Sequence, residues 1–120
     1  MKRHGDTLRE QMSFRVLKND SVEEFLAINE KSLLQEESMN NLLLGLSDSI
    51  KRQLRTFENP IFFTLNSQDS LVGQAIRSDG NRPLAISNMN KESLRMLAKE
   101  LLRTGIELTG VVGPKESSTN

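Results

Sequence analysis

The chain has 120 residues, its 16 lysines and arginines balance 16 aspartates and glutamates, and it contains no cysteine. This length suits one domain with a hydrophobic core. The charge balance leaves no global field that would draw the protein to nucleic acid or to an acidic membrane surface. The lack of cysteine excludes disulfides, thiolate nucleophiles and thiolate metal sites. We therefore expect no nucleic-acid partner, no membrane partner and, since no apolar signal segment follows Met1, a cytoplasmic location.

The first residues carry no structural pattern. Residues 1–11 are polar and lack a hydrophobic period, so we predict a disordered leader, and Met12 is a candidate for the start of the folded part. His4, the single histidine, lies in this leader. A catalytic or metal-binding histidine needs partners held rigidly around it, so we predict that His4 is merely solvated. No group of acidic residues has the spacing of metal ligands, and no metal site is expected.

The next part of the chain predicts a strand over residues 14–17 and a helical region over residues 21–55. Ser21 and Glu24 match a capping box, in which a hydroxyl and a carboxylate each satisfy a free backbone amide. A second helical stretch begins near Ser38. Its apolar residues recur at helical spacing and predict one buried stripe: Met39, Leu42, Leu43, Leu46 and Ile50.

A β-meander is predicted for the middle of the chain. Two apolar segments, residues 61–65 and 71–76, flank a group of turn-forming side chains at residues 66–70, which indicates a hairpin. A second turn at residues 78–81 has Asp-Gly at its centre and leads into a short strand over residues 84–86. Together these segments predict three antiparallel strands.

The clearest helical signal follows this meander. Asn90 is placed as its N-cap, and Met89 and Leu94 are spaced for a hydrophobic staple. Gly105 lies where a left-handed residue ends many helices. The predicted buried face comprises Leu94, Leu97, Ala98 and Leu101.

The last predicted element is a β-branched strand over residues 109–112, parallel to residues 84–86 through a right-handed crossover. Residues 115–120 form a polar tail. The sequence thus predicts one α+β (mixed α/β) domain over residues 12–114. Its element order is β-α-α-β-β-β-α-β, with an antiparallel meander and one parallel crossover.

Residues 87–92, which lead into the best helix, are the candidate binding site. A helix N-terminus offers free amides and partial positive charge to a pyrophosphate, which makes Asn88, Asn90 and Lys91 candidate coenzyme contacts. Phosphates need close approach to the backbone, however, and this segment has no glycine. The side chain of Asn90 is also expected to take the place of an anion by capping the helix. Elsewhere, the adjacent carboxylates of the pair Glu36 and Glu37 point about 100° apart and predict a solvated face.

Four segments together resemble the N-terminal half of bacterial GNAT-superfamily acetyltransferases: residues 21–26, 40–46, 72–77 and 105–114. The resemblance implies the element order given above. It also implies that acetyl-CoA lies where the fourth and fifth strands separate, with its pyrophosphate on a Gln/Arg-x-x-Gly-x-Gly/Ala loop. An amine then attacks the thioester directly. That loop motif does not occur in this chain.

The resemblance therefore implies part of a GNAT-like acetyltransferase, which transfers an acyl group from acetyl-CoA to an amine, with this chain lacking the coenzyme-binding signature. One interpretation is that the chain is a fragment or shortened relative of a larger enzyme. The alternative is a non-catalytic GNAT-like module for binding or dimerisation. The implied partners are a second GNAT half or a second copy in a homodimer. No catalytic residue can be assigned, because no family motif matches a numbered position.

Overall fold

A computed structural model describes residues 14–114, and the predicted leader, His4, Met12 and the predicted polar tail lie outside the described residues. The described chain follows the predicted order β-α-α-β-β-β-α-β. Its elements are β1 (Phe14–Asn19), α1 (Val22–Gln35), α2 (Asn41–Lys51), β2 (Ile61–Ser67), β3 (Ser70–Arg77), β4 (Leu84–Ile86), α3 (Lys91–Thr104) and β5 (Val111–Val112).

The five strands form one mixed sheet in the order β1-β2-β3-β4-β5. Strands β2, β3 and β4 form the predicted meander of three antiparallel strands. A further antiparallel strand lies beside β2, although α1 and α2 separate the two in the chain. The addition is β1, which pairs with β2 from Phe14↔Ser67 to Asn19↔Phe62. Strand β5 is parallel to β4 and pairs with it at two positions only, Leu84↔Val111 and Ala85↔Val112. The α+β class and the parallel crossover are confirmed.

Both turns of the meander differ from prediction by a residue or more. The β2–β3 connection is a two-residue turn at Gln68 and Asp69, whose φ angles are 52° and 66°. Two left-handed residues match the right-handed twist of the strands, as in a type I′ hairpin. In the β3–β4 turn, the Arg82 amide donates to the Asp79 carbonyl at 3.1 Å. This bond makes Asp79 the first and Arg82 the fourth residue of the turn, so its central residues are Gly80 and Asn81 rather than Asp79 and Gly80.

The sheet has a hydrophobic core on each face, because successive residues of a strand point to opposite sides. On β2, Phe63 faces α3 and packs with Leu97. Its neighbour Phe62 faces α1, where its ring centroid lies 5.7 Å from that of Phe25. Strand β2, which lies between β1 and β3, is therefore buried on both of its faces.

Helix α2 is shorter than predicted and rotated from the predicted face. It ends at Lys51 rather than near residue 55. Of the predicted stripe, Leu43 is fully buried, whereas Leu42 is 45% exposed. Ser47, one turn beyond Leu43, is the second buried residue. Successive residues of a helix point about 100° apart. When Leu43 and Ser47 face the sheet, the side chain of Leu42 therefore points away from it. In α3, likewise, Ser93 is buried and the predicted Ala98 is exposed.

The caps of α1 and α3 are formed as predicted, with one difference. The Ser21 hydroxyl accepts from the Glu24 amide at 3.0 Å, which confirms half of the capping box. The Glu24 carboxylate instead accepts from the Asn19 side chain at 3.0 Å. At the end of α3, Gly105 has φ 74°, and the Ile106 amide donates to the Leu101 carbonyl at 3.1 Å. This is the pattern of a Schellman C-cap.

Two glycines in different backbone conformations give a matched pair of stability predictions. A Cβ added at Gly45 or at Gly105 would meet no atom within 4 Å, so space does not distinguish them. Gly45 lies inside α2, where alanine stabilises by about 1 kcal/mol. Gly105 has a positive φ, where alanine costs about 1 kcal/mol. We expect Gly45→Ala to raise and Gly105→Ala to lower the free energy of unfolding measured in urea. Shifts of equal sign would contradict this assignment.

Candidate functional site

The N-terminus of α3, predicted as a candidate coenzyme site, is capped by the side chain of Asn90. The Asn90 Oδ1 accepts from the Ser93 amide at 2.8 Å, which confirms the predicted cap. Asn90 and Lys91 are exposed at the surface, whereas Asn88 is half-buried. The structure therefore does not gather the three candidates around one cavity.

Met89 fills the space beside this junction. A Cβ added to Gly73 of β3 would lie 2.8 Å from the Met89 Cε and 3.1 Å from its Sδ. Met89 is buried and belongs to the same core cluster as Leu97, and the predicted staple partner Leu94 packs against that cluster. Glycine at position 73 thus serves the close packing of a core side chain.

A chain of buried polar side chains lies between α1 and the sheet. The Thr64 hydroxyl donates to the Asn19 Oδ1 at 2.6 Å. The Asn29 Nδ2 donates to the Thr64 Oγ1 at 2.7 Å. The Gln74 Nε2 in turn donates to the Asn29 Oδ1 at 3.1 Å. These bonds satisfy polar groups that would be costly to bury alone, and they fix the position of α1 over β2 and β3.

The chain of polar contacts continues to the end of β4. The Gln74 amide donates to the Ser87 hydroxyl, and the Ser87 amide donates to the Gln74 carbonyl, both at 2.9 Å. These bonds lie one residue beyond the last β3–β4 pair, Ala75↔Ile86. The Ser87 side chain is thereby held at the carboxyl end of β4.

A small cavity opens where α1 ends, α2 begins and β3 and β4 meet. Its volume is about 110 Å³, and we call it the polar pocket. It is lined by Ser32, Glu36, Asn40, Gln74, Ser87 and Asn88 and by residues 71–73 of β3. Of the three predicted candidates, Asn88 alone lines this pocket. Glu36, predicted to lie on a solvated face, is exposed but also lines its rim.

Asn40 is the most unusual residue of the polar pocket. It is 5% exposed, and its Nδ2 donates to the Leu33 carbonyl at 3.2 Å. Its Oδ1 is buried and has no hydrogen-bond partner. A buried acceptor without a partner costs about 1–3 kcal/mol. Although Asn40 directly precedes α2, its side chain makes no capping bond to that helix. An asparagine before a leucine-rich helix is normally expected to cap that helix. The sequence therefore gave no signal that the Asn40 side chain lines a cavity.

Asn40 also lines a second, larger cavity of about 300 Å³, which we call the apolar cleft. The first residues of α2, Asn41–Leu43, lie on one side of it. Ile86, Gly113 and Pro114 lie on the other. A Cβ at Gly113 would be 2.5 Å from the Ile86 Cγ1, so the chain beyond β5 passes directly against the end of β4.

A separate ion pair fixes the loop between α2 and β2. The Arg55 Nη2 lies 2.7 Å from the Asp79 Oδ2, and the Glu58 amide donates to the Asp79 Oδ1 at 2.8 Å. The Arg55 guanidinium also lies 4.1 Å from the centre of the Phe57 ring. The hydrogen bond from Arg55, and then that from the Glu58 amide, lowers the pKa of Asp79 below its usual value. Asp79 is thus an anionic anchor for this loop.

Comparisons with known proteins do not identify the chain. No protein-family model matches it, and no curated protein or solved structure is significantly similar to it. The GNAT resemblance therefore stays a prediction. Within residues 14–114, no helix has the length and apolar character needed to cross a membrane, and no group of three histidine, cysteine or acidic residues is placed to hold a metal ion.

The buried polar contacts between α1 and the sheet give a stability prediction. Replacing Asn29 by leucine removes a donor and an acceptor, which leaves the Gln74 Nε2 without its acceptor. We expect Asn29→Leu to lower the free energy of unfolding by about 2 kcal/mol or more. Glu30→Ala, an exposed change on the same helix, should change it by less than about 0.5 kcal/mol. Equal effects in urea unfolding would contradict the assigned role.

Asp79 gives a prediction for pH dependence. Because its pKa is lower in the folded state, its contribution to stability is fully present above the ordinary value of 3.8 and is lost as the pH falls below it. Asp79→Asn should therefore destabilise the protein at about pH 6, and its difference from wild type should shrink towards about pH 3. Asp48→Asn breaks only the exposed pair with Arg52 and should have little effect at either pH. A constant difference for Asp79→Asn would contradict the prediction.

Proposed function

We propose that the chain is a GNAT-like domain of an acyl-transfer system and that it acts by binding, without holding acetyl-CoA at α3. The capping bond from Asn90 to the Ser93 amide carries this proposal. The element order and the parallel pairing of β4 with β5 support the GNAT-like part of it.

The chemistry of the α3 terminus argues against a pyrophosphate there. A helix binds phosphate through backbone amides that are free and approachable. Here the Ser93 amide is occupied by Asn90, and the space beside the junction is filled by Met89. Glu92 places a carboxylate in the first turn, where it competes with any incoming anion for the positive end of the helix dipole.

Acyl transfer in such a system needs the coenzyme to be supplied by another domain. We propose that a second GNAT half or a second copy of this chain supplies the coenzyme, as the resemblance implies. The polar pocket and the apolar cleft then remain as the places where this domain holds a ligand, since both lie at the carboxyl end of β4. A cytoplasmic location is part of the same proposal.

Titration of the ¹⁵N-labelled chain with coenzyme A tests the closed terminus directly. We expect no saturable shift of the Lys91, Glu92 or Ser93 amide signals up to millimolar ligand, and no heat by calorimetry with acetyl-CoA. Inorganic pyrophosphate serves as the control for simple anion binding. Saturable shifts at these amides with coenzyme A would overturn the proposal.

A further inference from the structure

We propose that the outer edge of strand β5 is a docking surface for the same edge of a second copy of this chain, which pairs with it as an antiparallel strand. The inference rests on the proposed function only in taking a second copy as the partner. It depends on four properties of this edge: its backbone groups, its exposed valines, its lack of charge and its symmetry.

Strand β5 ends the sheet, and one side of its backbone has no neighbouring strand among residues 14–114. The Leu84 amide donates to the Gly110 carbonyl at 2.9 Å, so the backbone groups of Gly110 point towards β4. In a strand these groups alternate in direction from one residue to the next, so those of Val111 point away from β4. An extended strand is the kind of partner that pairs with such an N–H and C=O.

Both side chains of β5 are exposed valines. Val111 is 50% exposed and lies beside Leu84, on the face of the sheet that α3 covers. Val112 is 39% exposed and lies beside Ala85, on the face that α1 covers. A strand added beyond β5 would therefore remove apolar surface from water on both faces of the sheet, which favours binding.

The two edges of the sheet differ in charge. Strand β1 carries the exposed charged residues Arg15 and Lys18, and charged side chains on an edge strand oppose its pairing with another chain. Residues 108–114, by contrast, contain no charged side chain. Two β5 edges can therefore approach each other without like-charge repulsion, whereas two β1 edges cannot. This difference selects β5 as the edge that pairs with its own copy.

The sequence around β5 also suits pairing with itself. A twofold axis beside Val111 sets this residue opposite its own copy, and the two residues then exchange a pair of N–H···O=C bonds. The same register sets Val112 opposite Gly110, which has no side chain to oppose the approach. Such pairing closes at two copies. Because the edge is only two residues long, we expect a weak dimer that forms at high protein concentration.

Sedimentation velocity of the full chain tests the proposal over concentrations from about 10 µM to about 1 mM. We expect the sedimentation coefficient to rise with concentration towards that of a dimer. The Val111 backbone amide signal of the ¹⁵N-labelled chain should shift over the same range. A chain that stays monomeric throughout would overturn the proposal.

Variants at position 111 separate backbone pairing from other modes of association. Val111→Pro removes the outward N–H and leaves the bonds to β4 in place, and proline is tolerated at such edge positions. We expect it to raise the dissociation constant of the dimer about tenfold or more. Val111→Lys sets two lysines opposite each other and should weaken the dimer as well.

Leu17→Lys is the matched control, because Leu17 is 46% exposed and lies on β1, at the opposite edge of the sheet. It should leave the dissociation constant unchanged. Urea unfolding of each variant checks that the fold is kept, and Val111→Lys keeps the test available if the proline variant does not fold. A dimer that persists in the Val111 variants, or that Leu17→Lys abolishes, would overturn the proposal.

The two proposals fail separately. Coenzyme binding at α3 would appear at the Lys91–Ser93 amides, whatever the state of association. A monomeric chain would leave the α3 terminus as it is, and a second GNAT half would remain as the supplier of the coenzyme.

Discussion

The side-chain amide of Asn29 joins helix α1 to two neighbouring strands, and the position of the polar pocket depends on this contact. Its nitrogen donates to Thr64 of β2 and its oxygen accepts from Gln74 of β3. If the buried amide group lost either partner, one of its polar atoms would be removed from water without a hydrogen bond, which costs free energy. Helix α1 therefore has one favourable position over the sheet, and the place of Glu36 at its end follows from that position.

Two asparagines that precede helices behave in opposite ways, and the backbone explains why. Asn90 has an extended conformation, with ψ 172°, and its side chain turns back onto the first turn of α3. Asn40 has ψ 14° and its side chain points to the Leu33 carbonyl instead. The N-cap geometry requires the extended backbone, so residue type alone does not decide between a closed helix end and a side chain that lines a cavity.

Features that depend on neighbours in the chain could be predicted, and those that depend on the meeting of distant segments could not. The caps at Ser21, Asn90 and Gly105 involve residues within one turn, and the sequence predicted all three. The buried face of α2 depends on how that helix rests on the sheet, which exposed Leu42. The polar pocket is assembled from residues up to 56 positions apart in the chain, from Ser32 to Asn88. No periodic pattern links such residues.

The strand order 1-2-3-4-5 has a consequence for how the chain acquires its structure during synthesis. No later strand is inserted between two earlier ones, so each strand that leaves the ribosome finds its partner at the outer edge of the sheet already formed. Strand β2 pairs with β1 only after α1 and α2, and β5 pairs with β4 only after α3. The sheet can thus be extended strand by strand from β1 towards β5, and few rearrangements between distant segments slow its formation.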